Sequence, residues 1–160
     1  MLSYDEFASP QGRMILTATA KGLAGVYFKG QKHFPKQRDW RRDPRNAVLK
    51  QAKRELAEYF AGRRAHFSVA LDPQGTPFQR SVWKQIAKVG FGKTLTYGEL
   101  AKRAGHPGSA RAAGAATGRN PIGILVPCHR ILGSDGTLNG YAGGLGRKRA
   151  LLSLEGALAR

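Results

Sequence analysis

The segment from Asn120 to Ile131 constrains this chain more than any other part of its sequence. It reads Asn-Pro-Ile-Gly-Ile-Leu-Val-Pro-Cys-His-Arg-Ile and holds the only cysteine, Cys128, directly before His129. Pro121 disfavours a helical backbone at the residue before it, and Pro127 fixes its own φ, so both ends of the apolar run are restricted. A free thiol is mostly protonated near neutral pH, and a neighbouring imidazole is the usual means of activating it. The pair indicates a nucleophilic site; a buried, inert cysteine beside a core histidine is the alternative.

The charge balance indicates a polyanionic partner. Lysine and arginine number 27 against 10 acidic residues, which gives a net charge of +17. Such an excess favours nucleic acid over the alternatives, a solvated basic surface or attraction to anionic membranes. The sequence contains no apolar run long enough to span a bilayer, so no membrane partner is expected.

Cysteine and histidine usage indicates a reducing compartment and no metal. One cysteine allows no internal disulfide, and the N-terminus lacks the basic and apolar regions of a secretory signal, so a cytoplasmic protein is expected. The four histidines are scattered, and no zinc-ligand spacing appears. We therefore expect neither a metal nor another cofactor.

Residues 1–73 predict a small domain built on an antiparallel sheet. Two β-prone runs, 14–19 and 23–28, are separated by a Lys-Gly turn and predict a hairpin, to which residues 2–7 are expected to pair. The polar, basic stretch 31–45 indicates a surface loop.

A helix and a last strand complete this predicted domain. Apolar residues from Leu49 to Phe60 fall at helical spacing, with Lys50, Lys53 and Arg54 turned outward. Residues 66–71 are expected to add a strand. No chemistry is apparent in this half, so we interpret it as a scaffold.

Residues 74–160 predict a mainly helical domain. Thr76 suits an N-cap and Pro77 a first helical position, and one face of the helix that follows is expected to be buried through Phe78, Val82, Ile86 and Val89. The fold class predicted for the whole chain is therefore α/β (α+β): a small antiparallel sheet with a helix, then a helical domain.

Two short helices joined by a tight turn are predicted over 96–104 and 109–118, which describes a helix-turn-helix. The second helix has almost no side-chain bulk apart from Arg111. Gly114 in its middle costs about 1 kcal/mol relative to alanine, so something is expected to approach closely. Another helix of the same protein is one candidate; the minor groove of DNA, about 6 Å wide, is favoured by the charge.

The C-terminal stretch predicts a loop and a helix. The glycine-rich segment 133–145 is expected to wrap around a pocket in which Tyr141 stacks on a base, with an ordinary surface loop as the alternative. Residues 147–156 indicate an amphipathic helix that ends at a glycine, with Leu151, Leu152 and Leu154 inward.

Four features of the sequence, taken together, match one known family. They are Pro127-Cys128-His129-Arg130, Asn120-Pro121 before it, Arg111 upstream and Glu155 downstream. This combination resembles the O6-alkylguanine-DNA alkyltransferases, the methylated-DNA–protein-cysteine methyltransferases. The resemblance covers nearly the whole chain and is densest from residue 76 to residue 156.

The resemblance implies a DNA repair protein. Such a protein flips O6-alkylguanine out of duplex DNA and transfers the alkyl group irreversibly to its own Cys128 in a single turnover, with O4-alkylthymine as a second candidate substrate. The implied partner is double-stranded DNA bound through the minor groove. We expect a monomer in solution and leave open whether several copies bind DNA cooperatively.

The resemblance also implies roles for single residues. His129, oriented by a buried Glu155, is expected to take the Cys128 proton through a bridging water. Asn120 is expected to brace the active segment, and Tyr97 to protonate guanine N3. The expected catalytic residues are thus Cys128, His129, Glu155, Asn120 and Tyr97. Expected DNA contacts are Arg111, which enters the duplex where the nucleotide leaves it, with Tyr97, Gly98, His106, Ala112, Gly114, Arg130 and Ser134. The expected substrate pocket comprises Tyr141, Val126, Gly123 and Ala142.

Two departures and two rival classes accompany this hypothesis. Gly123 stands where many relatives have proline, and Ala142 where some have a small polar residue, so a looser pocket wall and one hydrogen bond fewer to the base are expected. A pure DNA-binding module, including the alkyltransferase-like proteins that lack the cysteine, is disfavoured by Cys128. A thiol hydrolase needs an oxyanion hole and repeated turnover.

Overall fold

A four-stranded sheet forms the N-terminal half. In the computed structural model, which describes residues 2–36 and 39–158, its strands are β1 (Ser3–Ser9), β2 (Gly12–Ala18), β3 (Leu23–Phe28) and β4 (Arg41–Arg42). Their order is β3-β2-β1-β4, and β1 and β3 both run antiparallel to β2. The predicted α/β (α+β) class is confirmed, and the predicted hairpin is formed by β2 and β3 at one side of the sheet.

The stretch 31–45 is less irregular than predicted. It contains β4, which runs parallel to β1 because the Arg41 and Asp43 amides donate to the carbonyls of Leu2 and Tyr4, both at 2.9 Å. Gln37 and Arg38 of the predicted loop lie outside the described residues.

Helix α1 (Ala47–Phe60) covers one face of this sheet. The side chain of Asn46 accepts from the Leu49 amide at 3.0 Å and caps the helix. The side chains of Leu49, Leu56 and Tyr59, which belong to this helix, are buried. Lys53 differs from its predicted outward position, because its ammonium reaches the buried carboxylate of Asp5 at 2.7 Å.

Residues 66–71 are not the strand that was predicted. They run as an irregular segment with one isolated bridge, between Leu71 and Leu23. The amides of Ser68 and Val69 donate to the buried carboxylate of Glu55, at 2.8 and 3.2 Å, instead of to a neighbouring strand. A side chain thus satisfies backbone donors that a strand would pair through the sheet.

The C-terminal half is mainly helical. Its elements are α2 (Pro77–Ile86), β5 (Leu95–Thr96), α3 (Tyr97–Arg103), α4 (Ala110–Gly118), a 3₁₀ turn (Cys128–Arg130), β6 (Ile131–Leu132) and α5 (Leu145–Leu154). Thr76 and Thr96 each form a capping box with the side chain three residues later, so the starts of α2 and α3 are fixed locally. Ser109 precedes α4 as predicted but makes no side-chain cap.

Helix α5 differs from its prediction on one side. Lys148, Leu151, Leu152 and Glu155 recur at three- and four-residue spacing and are buried, while Leu154 lies off this stripe and is 37 % exposed. None of the helices in the described part of the chain is long and apolar enough to cross a membrane.

The two halves share one core and meet at the edge of the sheet. Val26 in β3 donates to the Pro121 carbonyl at 2.8 Å and accepts from the Gly123 amide at 3.1 Å. The segment that leads to Cys128 therefore pairs with β3 at one isolated β-bridge, between Val26 and Ile122. Trp83 ties α2 to α4 through a 2.8 Å hydrogen bond to the Ala116 carbonyl.

Candidate active site

Cys128 lies at the wall of a cavity of about 600 Å³ between α4 and the loop before α5. The residue is 7 % exposed, so its thiol is nearly buried. The cavity is lined by Lys32, His33, Tyr97, Gly114, Ala115, Thr117, Gly118, Arg119, Cys128, Gly140, Tyr141, Ala142, Gly144 and Leu145. A planar aromatic ligand that enters it meets the thiol, two tyrosine rings and a helix of small residues.

Two γ-turns shape the backbone that presents the thiol. Ile124 has φ 71°, and the Leu125 amide donates across it to the Gly123 carbonyl at 2.8 Å. Such a turn with positive φ is rare and strained for a β-branched residue. Pro127 (φ −80°, ψ 66°) forms the inverse kind, and the Cys128 amide donates to the Val126 carbonyl at 2.7 Å. The cysteine thus starts a 3₁₀ turn on a tightly folded segment.

Asn120 holds this segment from inside. Its side-chain amide donates to the Val126 carbonyl at 2.8 Å, and its side-chain oxygen accepts from the Ile122 amide at 3.0 Å. The residue is buried, so both bonds are shielded from water. Asn120 therefore closes the loop that ends at the cysteine.

His129 and Glu155 form a buried pair behind the cysteine. Nε2 of His129 lies 2.7 Å from Oε2 of Glu155, and both side chains are fully buried. A carboxylate only accepts, so the proton of the neutral imidazole is assigned to Nε2. Nδ1, which has no hydrogen-bond partner among the described residues, then carries the free lone pair. Burial lowers the pKa of His129, although Glu155 opposes this effect, so the ring is neutral near pH 7.

Glu155 is held by three side chains. Besides His129, its carboxylate accepts from Nε and Nη2 of Arg130, at 2.8 and 2.9 Å, and from the Tyr59 hydroxyl at 2.6 Å. Burial alone raises the pKa of a carboxyl, but hydrogen bonds from His129, Arg130 and Tyr59 more than offset it and lower the pKa of Glu155 to about 2. The group is ionised throughout the neutral range.

The thiol itself is protonated in the resting protein. Burial raises the pKa of Cys128, while a hydrogen bond from Asn120 and the charge of Lys148 oppose the increase. Lys148 is fully buried, and its ammonium donates to the carbonyls of Ile131, Asn139 and Gly140 at 2.5, 3.1 and 3.1 Å. Burial lowers its pKa to about 8, so it stays mostly cationic at pH 7 and favours a thiolate.

Tyr97 connects the cavity to the helix-turn-helix. Its hydroxyl donates to the Asn139 carbonyl at 3.1 Å, and burial together with Cys128 raises the pKa of this phenol. A β-carbon added at Gly114 lies 3.6 Å from the Tyr97 ring, so the nearest neighbour on this side of α4 is the ring. At that distance an alanine side chain would make only an ordinary van der Waals contact, so the Tyr97 ring does not by itself require a glycine at position 114.

Helix α4 presents one side to the cavity and another to solvent. Ala115 and Gly118 line the cavity, whereas Arg111 and Ala112 at its start are exposed. Arg111 and Ala115 are four residues apart and share a face of the helix. Arg111 thus lies about one helical turn from a residue of the cavity wall.

Two family models together match most of the chain. The ribonuclease-like domain of 6-O-methylguanine DNA methyltransferase matches residues 2–73, and the DNA binding domain of the same protein matches residues 77–157. The chain belongs to the 6-O-methylguanine DNA methyltransferase family. The family predicted from the sequence is thereby confirmed.

Relatives in this methyltransferase family resemble the chain over almost their whole length. The methylated-DNA–protein-cysteine methyltransferase of Methanosarcina acetivorans is 45 % identical over 155 residues, which are 96 % of this chain and 98 % of the relative. The crystal structure of the Mycobacterium tuberculosis O6-methylguanine methyltransferase has a TM-score of 0.89 at 43 % identity and covers 100 % of this chain and 96 % of that one. A structure of the same organism's protein in complex with DNA also scores 0.89, at 42 % identity, covering 97 % and 93 %.

One predicted DNA contact of this methyltransferase does not agree with the structure. Arg130 is 6 % exposed, and besides its fork on Glu155 it donates to the Val89 carbonyl at 2.6 Å. Its guanidinium also lies 5.8 Å from the Phe91 ring centre. Because all these partners are internal, Arg130 supports the buried Glu155 carboxylate and does not belong to an exposed, DNA-facing surface.

The other predicted DNA contacts of the family member lie near the protein surface. Gly98, His106 and Ser134 are exposed, like the two residues at the start of α4. His106 packs edge-on against the Phe78 ring at 4.9 Å.

Two of the four residues predicted for the substrate pocket line the cavity. Tyr141 and Ala142 line the cavity. Val126 is buried behind the cysteine, and Gly123 is backed by the Val26 carbonyl, 3.2 Å from where its β-carbon would stand. Gly123 therefore lies against the sheet edge in this methyltransferase, and not on the wall of the cavity.

Sequence reasoning missed several residues of this methyltransferase site. Lys148 belongs to an Arg-Lys-Arg run that reads as solvent-facing. Tyr59 fits the buried stripe of α1 and gives no sign of a polar partner. Lys32 and His33 come from the predicted surface loop and reach the cavity because the Lys32 amide donates to the Ala142 carbonyl at 3.0 Å. Only spacing on α5 offered a signal, since Lys148 shares a stripe with Leu151 and Glu155.

Proposed function

We propose that this protein repairs O6-alkylguanine in duplex DNA by transferring the alkyl group to Cys128, once per molecule, in the cytoplasm. One observation carries the proposal: the thiol opens on a cavity whose other wall is the second helix of a helix-turn-helix. A nucleotide delivered by that helix meets the nucleophile directly. The family relationship and the net charge of +17 support DNA as the partner.

The first chemical step is removal of the thiol proton. His129 Nδ1 is its acceptor, through a water between the two groups, because Nε2 already donates to Glu155. The imidazolium that forms is stabilised by the ionised carboxylate, and the thiolate by Lys148 and the Asn120 amide. The proton thus moves from sulfur to imidazole in a pocket whose fixed charges stabilise both the thiolate and the imidazolium.

The second step is displacement at the alkyl carbon. The thiolate attacks this carbon, an S–C bond forms, and the C–O6 bond breaks with its electrons withdrawing into the guanine ring. Tyr97 supplies a proton to ring N3, so guanine leaves as a neutral base, and the tyrosinate that remains regains a proton as the His129 imidazolium gives up the one it took from the thiol. Tyr97 is suited to this role because its raised pKa keeps the phenol protonated and because its hydroxyl borders the cavity.

The duplex is engaged through α4. Its small residues permit approach to the minor groove, about 6 Å wide, and Arg111 at its exposed start is placed to fill the gap left by the flipped nucleotide. Flipping costs a few kcal/mol, which stacking on Tyr141 and the arginine offset. Lys32 and Arg119 at the cavity add positive charge where the backbone of the strand must pass.

The thioether product explains single turnover. A carbon–sulfur bond of this kind is not readily hydrolysed, so the alkylated protein stays alkylated. A thiol hydrolase regenerates its cysteine, and a pure DNA-binding module leaves it unchanged, so the fate of the sulfur separates all three classes.

The test is mass spectrometry of the protein after incubation with duplex DNA that contains O6-methylguanine. We expect a stoichiometric, permanent gain of one methyl group on the peptide that holds Cys128. Cys128→Ser is the control and should retain affinity for the DNA within about tenfold while gaining no methyl group, because a hydroxyl is barely ionised at neutral pH. Repeated turnover or an unmodified cysteine would exclude the proposal.

A further inference from the structure

The carboxylate of the active site receives a hydrogen bond from the opposite half of the chain. Tyr59 lies on α1, in the N-terminal half, and its hydroxyl is 2.6 Å from Oε2 of Glu155, 96 residues away in sequence. The two residues are 1 % and 5 % exposed. A distance this short between a hydroxyl and a carboxylate is typical of a charge-assisted bond in a dry environment.

This bond falls on the carboxylate oxygen that also serves His129. Oε2 accepts from the Tyr59 hydroxyl, from Nε2 of His129 at 2.7 Å and from Nη2 of Arg130 at 2.9 Å, whereas Oε1 accepts from Nε of Arg130. The arginine fork already fixes the plane of the carboxylate. The main effect of the Tyr59 hydroxyl is therefore to reduce the negative charge on Oε2 that acts on the His129 imidazole.

The Tyr59 hydroxyl is held in place by aromatic rings from both halves of the chain. Its ring contacts the rings of Phe60, Phe67 and Phe91, with centres 5.3, 5.6 and 6.4 Å away. Rigid packing of this kind leaves the hydroxyl no other position to adopt. The donor is consequently preorganised before any substrate arrives.

We infer that Tyr59 is a positioning residue for alkyl transfer, and that through it the N-terminal half tunes how readily His129 takes the thiol proton. This inference rests on the proposed function. It gives a chemical role to a half of the chain that its sequence presents as scaffold.

The direction of the effect follows from the charges around His129. Glu155 is the anion that faces it; Arg130 from the 3₁₀ turn and Lys148 from α5 are the cations, and Cys128 and Tyr141 are the neutral titratable groups. Loss of the Tyr59 hydroxyl concentrates charge on Oε2 and stabilises the imidazolium. His129 then titrates at higher pH. In the variant the imidazole is already protonated at a pH where the imidazole of the wild-type protein is still neutral.

The experiment compares the wild-type protein with Tyr59→Phe and with Tyr27→Phe as a matched control. Tyr27 is also a buried tyrosine of the N-terminal half, but its ring packs between Phe34 and Trp40, away from Glu155. The pH titration of the His129 ring nitrogens is followed by ¹⁵N NMR. The rate of transfer from free O6-benzylguanine is measured over the same pH range.

We expect Tyr59→Phe to move the His129 titration, and with it the acid limb of the rate profile, upward by roughly one pH unit, as for a buried ion that loses one charge-assisted hydrogen bond. Affinity for unmodified duplex DNA should stay at the wild-type value, and Tyr27→Phe should leave the titration where it is. Equal titration in all three proteins, or an equal shift in the control, overturns the inference.

A second replacement keeps the test decisive if Tyr59→Phe does not fold. Incorporation of 3-fluorotyrosine at position 59 replaces one ring hydrogen with fluorine. The phenol becomes more acidic, and its hydrogen bond to Glu155 becomes stronger. The His129 titration should then move to lower pH, and an unchanged titration contradicts the inference. If the wild-type protein itself gains no alkyl group on Cys128, it is the proposed function that fails, and the titration still reports on Tyr59.

Discussion

Replacement of Glu155 by glutamine should lower stability in a way that depends on pH. The carboxylate is buried between Arg130, His129 and Tyr59, and its pKa is lowered from 4.5 to about 2. At about 1.4 kcal/mol for each tenfold change in proton affinity, the ionised form stabilises the folded protein by about 3 kcal/mol. Removing one partner of a buried ion pair costs a similar amount, about 3–5 kcal/mol, because Arg130 keeps its charge.

The pH dependence has a defined sign. The folded-state pKa of Glu155 lies below its unfolded value, so its contribution is fully present above about pH 4.5 and is lost as the pH falls toward about 2. Glu155→Gln should therefore be less stable than the wild-type protein by about 3–5 kcal/mol at neutral pH, and most of that difference should disappear in acid.

Urea unfolding at a series of pH values measures this difference. Glu6→Gln is the matched control, since Glu6 pairs with Arg13 at 3.0 Å on the surface, where the side chains are 28 % and 54 % exposed. Such a surface pair contributes at most about 1 kcal/mol. A difference between Glu155→Gln and wild type that stays constant from neutral to acid pH would refute the electrostatic reasoning, because a loss of packing alone does not titrate.

Three further changes test other parts of the site. Arg111→Ala should slow repair of duplex DNA far more than reaction with free O6-benzylguanine, because only the duplex requires flipping. Equal losses on both substrates indicate a different role for Arg111. The control is Arg54→Ala, on the exposed side of α1. Lys148→Met should reduce the transfer rate on both substrates and lower the free energy of unfolding by about 1–3 kcal/mol, because the buried Ile131 carbonyl and the partly buried carbonyls of Asn139 and Gly140 lose their donor; a wild-type rate contradicts its support of the thiolate. Methylation of Cys128 should lower the melting temperature by several degrees, since overpacking costs ~1–3 kcal/mol and each kcal/mol is worth roughly 2–4 °C in a protein of this size; coincident calorimetric curves show that the cavity accepts the methyl group without strain.

Local signals in the sequence predicted most of the secondary structure. The capping boxes at Thr76 and Thr96 and the positive-φ glycine at the end of α1, Gly62, act within four residues of the chain. The two β-prone runs on either side of the Lys-Gly turn likewise predicted the hairpin of β2 and β3. These features need no distant partner, because the groups that satisfy them lie in the same turn.

The sequence motif also predicted the nucleophile and its neighbours. Asn120, Cys128 and His129 occur within ten residues, and two prolines restrict the backbone between them. A residue pattern this dense identifies the family, and the family brings Glu155 with it. Where those side chains meet was still an expectation, because a 26-residue separation does not define a distance.

Errors arose wherever a distant group satisfied the backbone or balanced a charge. Residues 66–71 have the composition of a strand, but the Glu55 side chain takes the amide hydrogens that a strand would pair. The family resemblance implied a DNA contact for Arg130, yet its side chain is buried against Glu155.

Tertiary structure alone decided what supports the chemistry. Tyr59 looks like an ordinary core residue of an amphipathic helix, and Lys148 like part of a solvated basic run. Folding removes water from both, and a buried polar group must then find a partner. The identity of that partner depends on which elements pack together. Tyr59 finds Glu155, 96 residues away in the sequence, and Lys148 finds the Ile131 carbonyl, 17 residues away. Sequence therefore determined the reacting groups, and packing of the two halves determined the environment that sets their proton affinities.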